Sequence, residues 1–202
     1  MHMQSSVDKT KVGKQICDAL KMMYLKGLIT PLTGNISVRL GNTILMTPSS
    51  FVPTIRLKYE LNPEDLVEVD LNGNVVSGGK PTTELPMHLA IYNVCSKCNA
   101  VVHIHGVYSP LLKSSDLDDL FLDTELKYIL KPRICFVKEL IPRTHDLANA
   151  VVEKVREGCE IIYLERHGVV TVSDTLGMAL ELAELAEVIA ERTVLQKLLS
   201  KI

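Results

Sequence analysis

The sequence predicts one α/β domain in which helices pack on the faces of a central, mixed but mainly antiparallel sheet. Two turn signals and one pattern carry that expectation. Gly41-Asn42 separates the runs NISVRL and NTILMT, and Asn72-Gly73 separates DLVEVD from VVSGG. Both pairs read as hairpins, which force antiparallel neighbours. Between the later strand-like runs stand stretches of helical spacing, without the strict strand–helix alternation of a doubly wound parallel sheet. At 202 residues the chain has the length of a single domain, and the expected domain is 1–202.

The elements follow in order. Apolar positions at Val12, Ile16, Leu20 and Met23 predict an amphipathic helix from about residue 9 to Gly27. The two hairpins come next. Thr83 is a candidate cap for a second helix: Pro86 falls in its first turn, where a missing N–H costs little, and Leu85, Leu89 and Tyr92 continue it toward the Cys95/Cys98 pair. AVVHIH, residues 100–105, reads as a strand. Residues 109 to about 128 predict a helix interrupted around SSDLDD, and RICFV a short strand. A helix is expected from about Asp146 to Arg156, then the strands EIIYLE and VVTV joined tightly through RHG. Asp174 is a candidate cap for a final Ala/Leu-rich helix reaching about Leu199.

Charge narrows the function. The 22 basic and 24 acidic residues leave a net charge of −2 with no dense Lys/Arg block, so nucleic acid is not an expected partner. No stretch approaches the roughly 18–20 apolar residues of a membrane span, and the polar start MHMQSSVDKT leads into no apolar signal segment. The expectation is no membrane partner and a cytoplasmic location. Apolar residues make up 47% and mean hydropathy is +0.17, with three Phe and no Trp, so part of this aliphatic surface can cover contacts between subunits. Five cysteines, an odd number mostly set in apolar elements, predict reduced and mostly buried thiols. The CSKC pair can instead bind zinc or cycle as a dithiol, with two thiols at a helix end as the plain alternative.

A strand turns residues i and i+2 to one face, so His103 and His105, inside an aliphatic run, point the same way. His167, before Gly168, and Glu84, at a helix start, are the other candidates. Three neutral imidazoles with one open position are the ligand set of catalytic zinc. Equally, His-X-His can be a hydrogen-bonded core pair and a histidine before glycine an ordinary turn residue; the residues alone leave both open. His2, His88 and His145 read as structural, although His88 lies one turn after Glu84. TGNIS, TPSS and PTTE each sit at a strand or helix end, where freed backbone N–H groups attract an anion and Asn35, Thr82 and Thr83 side chains can donate as well. Singly they read as caps and turns.

Taken together and in order, TGNISVR, ILMTPSS, GKPTTELPMHLAIY, AVVHIHG and ERHGVVTV resemble the class II aldolase/adducin family, from about Lys11 to the final helix. The resemblance implies a three-layer fold and a fourfold-symmetric homotetramer with active sites between subunits. It implies one Zn²⁺ per chain held by His103, His105 and His167, with Glu84 as an acid/base that also touches the metal when substrate is absent. It implies a phosphate pocket of Gly34, Asn35, Ser49, Ser50, Thr82 and Thr83. The implied reaction is reversible cleavage of a phosphorylated sugar, a ketose 1-phosphate such as L-fuculose 1-phosphate, into dihydroxyacetone phosphate and a short aldehyde such as lactaldehyde. Sugar-phosphate 4-epimerases and methylthioribulose-1-phosphate dehydratases of the family use the same metal cradle. A noncatalytic adducin-like module would have lost the ligands, whereas all four residues stand here. Two departures matter. Ser49-Ser50 stands where the family pattern ends in Thr-Gly, and the family's catalytic tyrosines have no clear counterpart: KLLSKI carries none, and Tyr108 and Tyr128 are candidates for the mid-chain role by guess alone.

Overall fold

The structure, a computed structural model, describes residues 8–50 and 56–202. Helix α1 (Lys9–Leu25) starts at Asp8, whose side chain accepts the backbone N–H groups of Thr10 and Lys11, and it buries Val12, Ile16, Leu20 and Met23, the positions whose spacing predicted it. Both hairpins form. Strand β1 (Asn35–Leu40) pairs antiparallel with β2 (Thr43–Met46), and β3 (Val67–Asp70) with β4 (Val75–Ser77). At the second turn the Asp70 carboxylate accepts the N–H groups of Asn72 and Asn74, an Asx-type closure. After α2 (Leu85–Val94) come β5 (Ala100–Ile104), β6 (Ile134–Val137), α3 (His145–Arg156), β7 (Ile161–Leu164), β8 (Gly168–Ser173) and α4 (Leu176–Leu199).

The eight strands form one sheet in the order β4-β3-β2-β1-β5-β8-β7-β6. Every pairing is antiparallel except β6 with β7, so the expected mixed, mainly antiparallel sheet is what the chain builds. Strand alternation divides the core in two. Ile36, Val102, Ile104 and Tyr163 face α1 and α4, while Val101, Ile162, Val170 and Val172 face α2 and α3, giving three layers. Helix α4 lies close because Ala179, Ala183, Ala186 and Ala190 present small, fully buried side chains at helical spacing. The approach lets Tyr163 and Thr171 donate their hydroxyls, each at 2.6 Å, to the carbonyls of Ala186 and Ala179. On the other face, the fully buried His88 of α2 shares short hydrogen bonds with Ser37 and Asn35 of β1, and Tyr92 joins through the Ser37 hydroxyl. Asn35 Oδ1 is an acceptor, so the His88 Nε2 proton goes there and Nδ1 accepts from Ser37.

Four expectations are corrected. Residues 109–128 are not an interrupted helix but separate short turns at Ser109–Leu111, Ser114–Asp119 and Leu126–Leu130. The cause is local competition: the Asp116 and Asp123 carboxylates take the backbone N–H groups of Lys113 and Leu126. Helix α2 begins one residue later than expected, with Glu84 rather than Thr83 in the cap position. Helix α4 is capped by Thr175, whose hydroxyl accepts from Met178 N–H, not by Asp174. The cysteines are not all reduced. Cys95 is bonded to Cys98 with Cα atoms 5.3 Å apart, and Cys135 to Cys159 at 6.0 Å, which leaves Cys17 as the free, buried thiol. The second pair was invisible in sequence because it arises only when the turn after α3 returns Cys159 beside β6. No helix among the described residues is long and apolar enough to cross a membrane.

Two measurements check this description. Protein denatured without reductant should show one reactive thiol per chain, Cys17, and five after reduction; five before reduction would remove both disulfides. Burial lowers the His88 pKa to about 3. Its unfolded value is about 6.5, so as pH falls from about 6.5 toward 3 only the unfolded chain takes up this proton and folding stability is lost. In urea melts across that window, His88→Asn should destabilise the fold at neutral pH yet reduce the slope of stability against pH by about one proton.

Candidate metal centre and active site

Strand β5 lies between β1 and β8, and its end carries the histidines. His103 is fully buried and gives its Nδ1 proton to Val169 O at 2.9 Å, across the β5–β8 pairing. That bond fixes the tautomer and leaves Nε2 as a bare acceptor, buried and without a hydrogen-bond partner among the described residues. His105 stands one residue beyond the strand on the same face, its ring centroid 4.4 Å from that of His103. Its ring donates to the backbone of His167. The expected tight connection through Glu165, Arg166 and His167 then turns the chain into β8, with Arg166 in the left-handed region and His167 N–H bonded to Leu164 O. The His167 ring lies 4.9 Å from each of the other two, and its Nδ1 also lacks a partner among the described residues.

The ligand nitrogens of His103, His105 and His167 lie within 4.8 Å of one another. Burial is the main cause that holds all three pKa values down, to about 4 for His105 and His167 and well below the ordinary value for His103. The three rings are therefore neutral at physiological pH, the state that ligates a metal. A purely structural cluster would spend both nitrogens of each ring on hydrogen bonds; the orphaned Nε2 of His103 instead suits a cation shared by the three.

Glu84 stands outside that triad but borders the same cavity, of about 220 Å³, with His105 and His167. Its carboxyl is buried and accepts the backbone N–H of Arg143. Burial raises its pKa, and the charge and N–H of Arg143 oppose that rise. Gly34, Asn35, Ser50, Thr82 and Thr83, all expected in the phosphate pocket, line the cavity as well. The pairing of Asn35 with His103 in register sets this group beside the histidines. Gly34 sits at φ +75°, where an added Cβ would come within 2.3 Å of Ile29, so the turn requires glycine. Thr82 N–H is bonded to Thr47 O and Ser49 N–H to Lys80 O, which laces the TPSS and PTTE segments together. Ser49 is buried in that lacing and does not border the cavity. Tyr108 and Tyr128 also lie away from it; Tyr108 packs on the core and Tyr128 is exposed.

Three contributors were missed in sequence. Arg143, in the left-handed region at φ 67°, borders the cavity, and its charge depresses the pKa values of His105 and His167. Lys58, only 3% exposed, lines the cavity from a segment that carries none of the motifs read in the sequence. Glu187, halfway along the Ala/Leu-rich α4, accepts the N–H groups of Tyr108 and Ser109 and so braces the segment that leaves His105. No periodicity marks any of them, because each acts through a contact distant in sequence.

Comparison with known proteins agrees with this geometry. The family model for the class II aldolase and adducin N-terminal domain matches residues 14–194. An L-fuculose phosphate aldolase of Methanococcus maripaludis is 33% identical over 171 residues, 85% of this chain and 89% of that protein. A 3-oxo-tetronate 4-phosphate decarboxylase of Haemophilus influenzae is 31% identical over 175 residues, 83% of this chain and 80% of that one. Among solved structures, one of an L-fuculose 1-phosphate aldolase superposes with a TM-score of 0.80 at 26% identity, covering 96% of this chain and 89% of the other. The matched region spans the sheet, the histidine triad and the hydroxyl-lined cavity, and the chain belongs to the class II aldolase and adducin family.

Proposed function

We propose that this protein is a zinc-dependent aldolase that reversibly cleaves a ketose 1-phosphate, L-fuculose 1-phosphate or a close analogue, into dihydroxyacetone phosphate and a short aldehyde such as lactaldehyde. The observation that carries the reading is the set of three neutral imidazoles with the Nε2 of His103 buried and unpaired among the described residues. His103, His105 and His167 hold the Zn²⁺, one per chain; when bound, it supplies the Lewis acidity that stabilises the electron pair left on C3 as the C3–C4 bond breaks. No lysine Schiff base is needed for that purpose.

The chain's own groups do the rest. In cleavage the C4 hydroxyl releases its proton to solvent as its oxygen becomes the aldehyde carbonyl, and Glu84 hands a proton to C3; in condensation Glu84 removes the C3 proton and the C4 oxygen takes one back, with burial beside the Arg143 N–H holding the carboxyl in place for both directions. With no substrate bound, Glu84 would be the carboxylate on the cavity wall available to a metal held by the three histidines. Gly34, Asn35, Ser50, Thr82 and Thr83 receive the phosphate, with Ser49 supporting them from behind, so binding energy far from the breaking bond aligns it. Exposed apolar residues such as Leu111, Ile129, Leu198 and Leu199 are consistent with a homotetramer whose sites lie between subunits. The cytoplasm remains the proposed location, and the thiol count described above reads whether the two disulfides persist there.

A second reading, decarboxylation of a phosphorylated 3-oxo acid, is favoured by the position of Arg143 on the cavity wall and by the decarboxylase relative. A guanidinium there suits a carboxylate on the reacting end of the substrate. Carbon dioxide release from such an acid, absent from ketose 1-phosphates, separates the two.

Purified protein should carry about one zinc per chain, and a chelator should remove cleavage of L-fuculose 1-phosphate; His103→Ala should lose metal and activity together. Metal analysis beside the assay checks this, and full activity in metal-free protein would end the proposal. Glu84→Gln should keep the metal while kcat falls by roughly 10²–10⁴. Unchanged turnover in a metal-replete Glu84→Gln variant would remove the proton-transfer role.

A further inference from the structure

Lys58 is the one cationic side chain that is both buried and on the wall among the phosphate-pocket residues, and the reaction proposed above leaves it unused. It opens a short turn, Lys58–Glu60, and its backbone N–H donates to Pro31 O at 2.8 Å, which pins this turn beside the TGNIS segment. Its side chain runs inward and the ammonium donates to Pro48 O at 2.9 Å, in the TPSS segment. Gly34, Asn35, Ser50, Thr82 and Thr83 line the same cavity.

What the ammonium lacks is an anion. Among the described residues no carboxylate forms an ion pair with it, and burial alone lowers its pKa, to about 8. Residues 51–55, FVPTI, contain no acid that could supply one. One hydrogen bond to a carbonyl does not offset taking an ammonium out of water, and a neutral donor would hold Pro48 O at lower cost. Among the described residues Pro48 O takes one of its three N–H donors. Gly34, Asn35, Ser50, Thr82 and Thr83 carry no charge, and the other cation on the cavity wall, Arg143, is exposed and acts on Glu84, so Lys58 is the buried positive charge beside those donors.

We propose that Lys58 is the cationic anchor of the anion pocket, its buried ammonium pairing with the phosphate of the substrate. The inference rests on reading this pocket as the phosphate site, and it adds a substrate-binding residue on a segment that no motif in the chain marks. It also defines the substrate class further: an uncharged sugar would leave the ammonium buried and unpaired, so discrimination against unphosphorylated ketoses comes from a cost as well as from lost contacts.

The test uses the metal-loaded protein and inorganic phosphate as probe. Wild type, Lys58→Met and Lys58→Gln are titrated calorimetrically with phosphate, and their metal content and thermal melts are recorded with and without it. The expected result is that both variants keep their metal and bind phosphate at least about thirtyfold more weakly. Phosphate should raise Tm in the wild type far more than in either variant. Lys58→Met without phosphate should melt no lower than wild type, because it removes an uncompensated buried charge. Folded variants that bind phosphate like wild type would overturn the anchor, and so would failure of both variants to fold, since the lysine would then be structural. A wild type that binds no phosphate overturns the anchor and the pocket together. A wild type that binds phosphate in this Lys58-dependent way yet cleaves no ketose 1-phosphate leaves the anchor standing and removes only the proposed reaction.

Discussion

The close approach of β8 to the end of β5 is the constraint on which the rest depends. At Gly168 an added Cβ would stand 2.1 Å from Ile104 O, so only glycine lets the two backbones meet there. The approach brings His167 against His103 and His105 and allows Val169 O to take the Nδ1 proton of His103. On the other side of β5, the pairing of Asn35 with His103 carries the TGNIS turn to the same point. Two backbone registers at the middle of one sheet therefore place the three histidines and the TGNIS turn side by side, held by the sheet itself.

Burial then decides what these groups can do. The imidazoles stay neutral chiefly because the fold withdraws water from them, and the charge of Arg143 adds to that for His105 and His167. Glu84 experiences the opposite pull, since desolvation favours its protonated form while Arg143 favours the anion. Both pulls act on one carboxyl, the group that the proposed reversible carbon–carbon cleavage asks to give and take a proton. His88 shows that burial alone does not make a histidine functional. Both of its nitrogens are spent, on Ser37 and Asn35, whereas His103 keeps one free among the described residues.

Local patterns were legible in the sequence where they repeat or punctuate the chain. The apolar face of α1, both hairpin turns and the RHG connection all formed where their residues placed them, because each depends on neighbours a few positions away. His103 and His105 were legible as a pair for the same reason. That His167 joins them was readable only through the resemblance to a family, since spacing cannot report a contact between β5 and the turn before β8. The failures have physical causes of the same kind. Residues 109–128 have helical composition, but their aspartates bind local backbone and the segment packs against α4, where Thr193 takes the N–H of Phe121. Cys135 and Cys159 meet only because β6 runs parallel to β7, the single parallel pairing in the sheet.

The charged residues added by the fold divide the cavity between two tasks. The histidines, Asn35 and the threonines lie on the motifs TGNIS, PTTE, AVVHIH and RHG, and they offer neutral ring nitrogens and hydrogen-bond donors. Lys58 and Arg143 lie outside those motifs, one buried beside the anion-binding turns and the other exposed beside Glu84. The imidazoles on the cavity wall are neutral, so its charged side chains are the cations Lys58 and Arg143 and the carboxyl of Glu84. That excess of cationic groups suits an anionic substrate. Both cations reach the cavity through contacts remote in sequence, so the charge on its wall is a product of the fold rather than of any local motif.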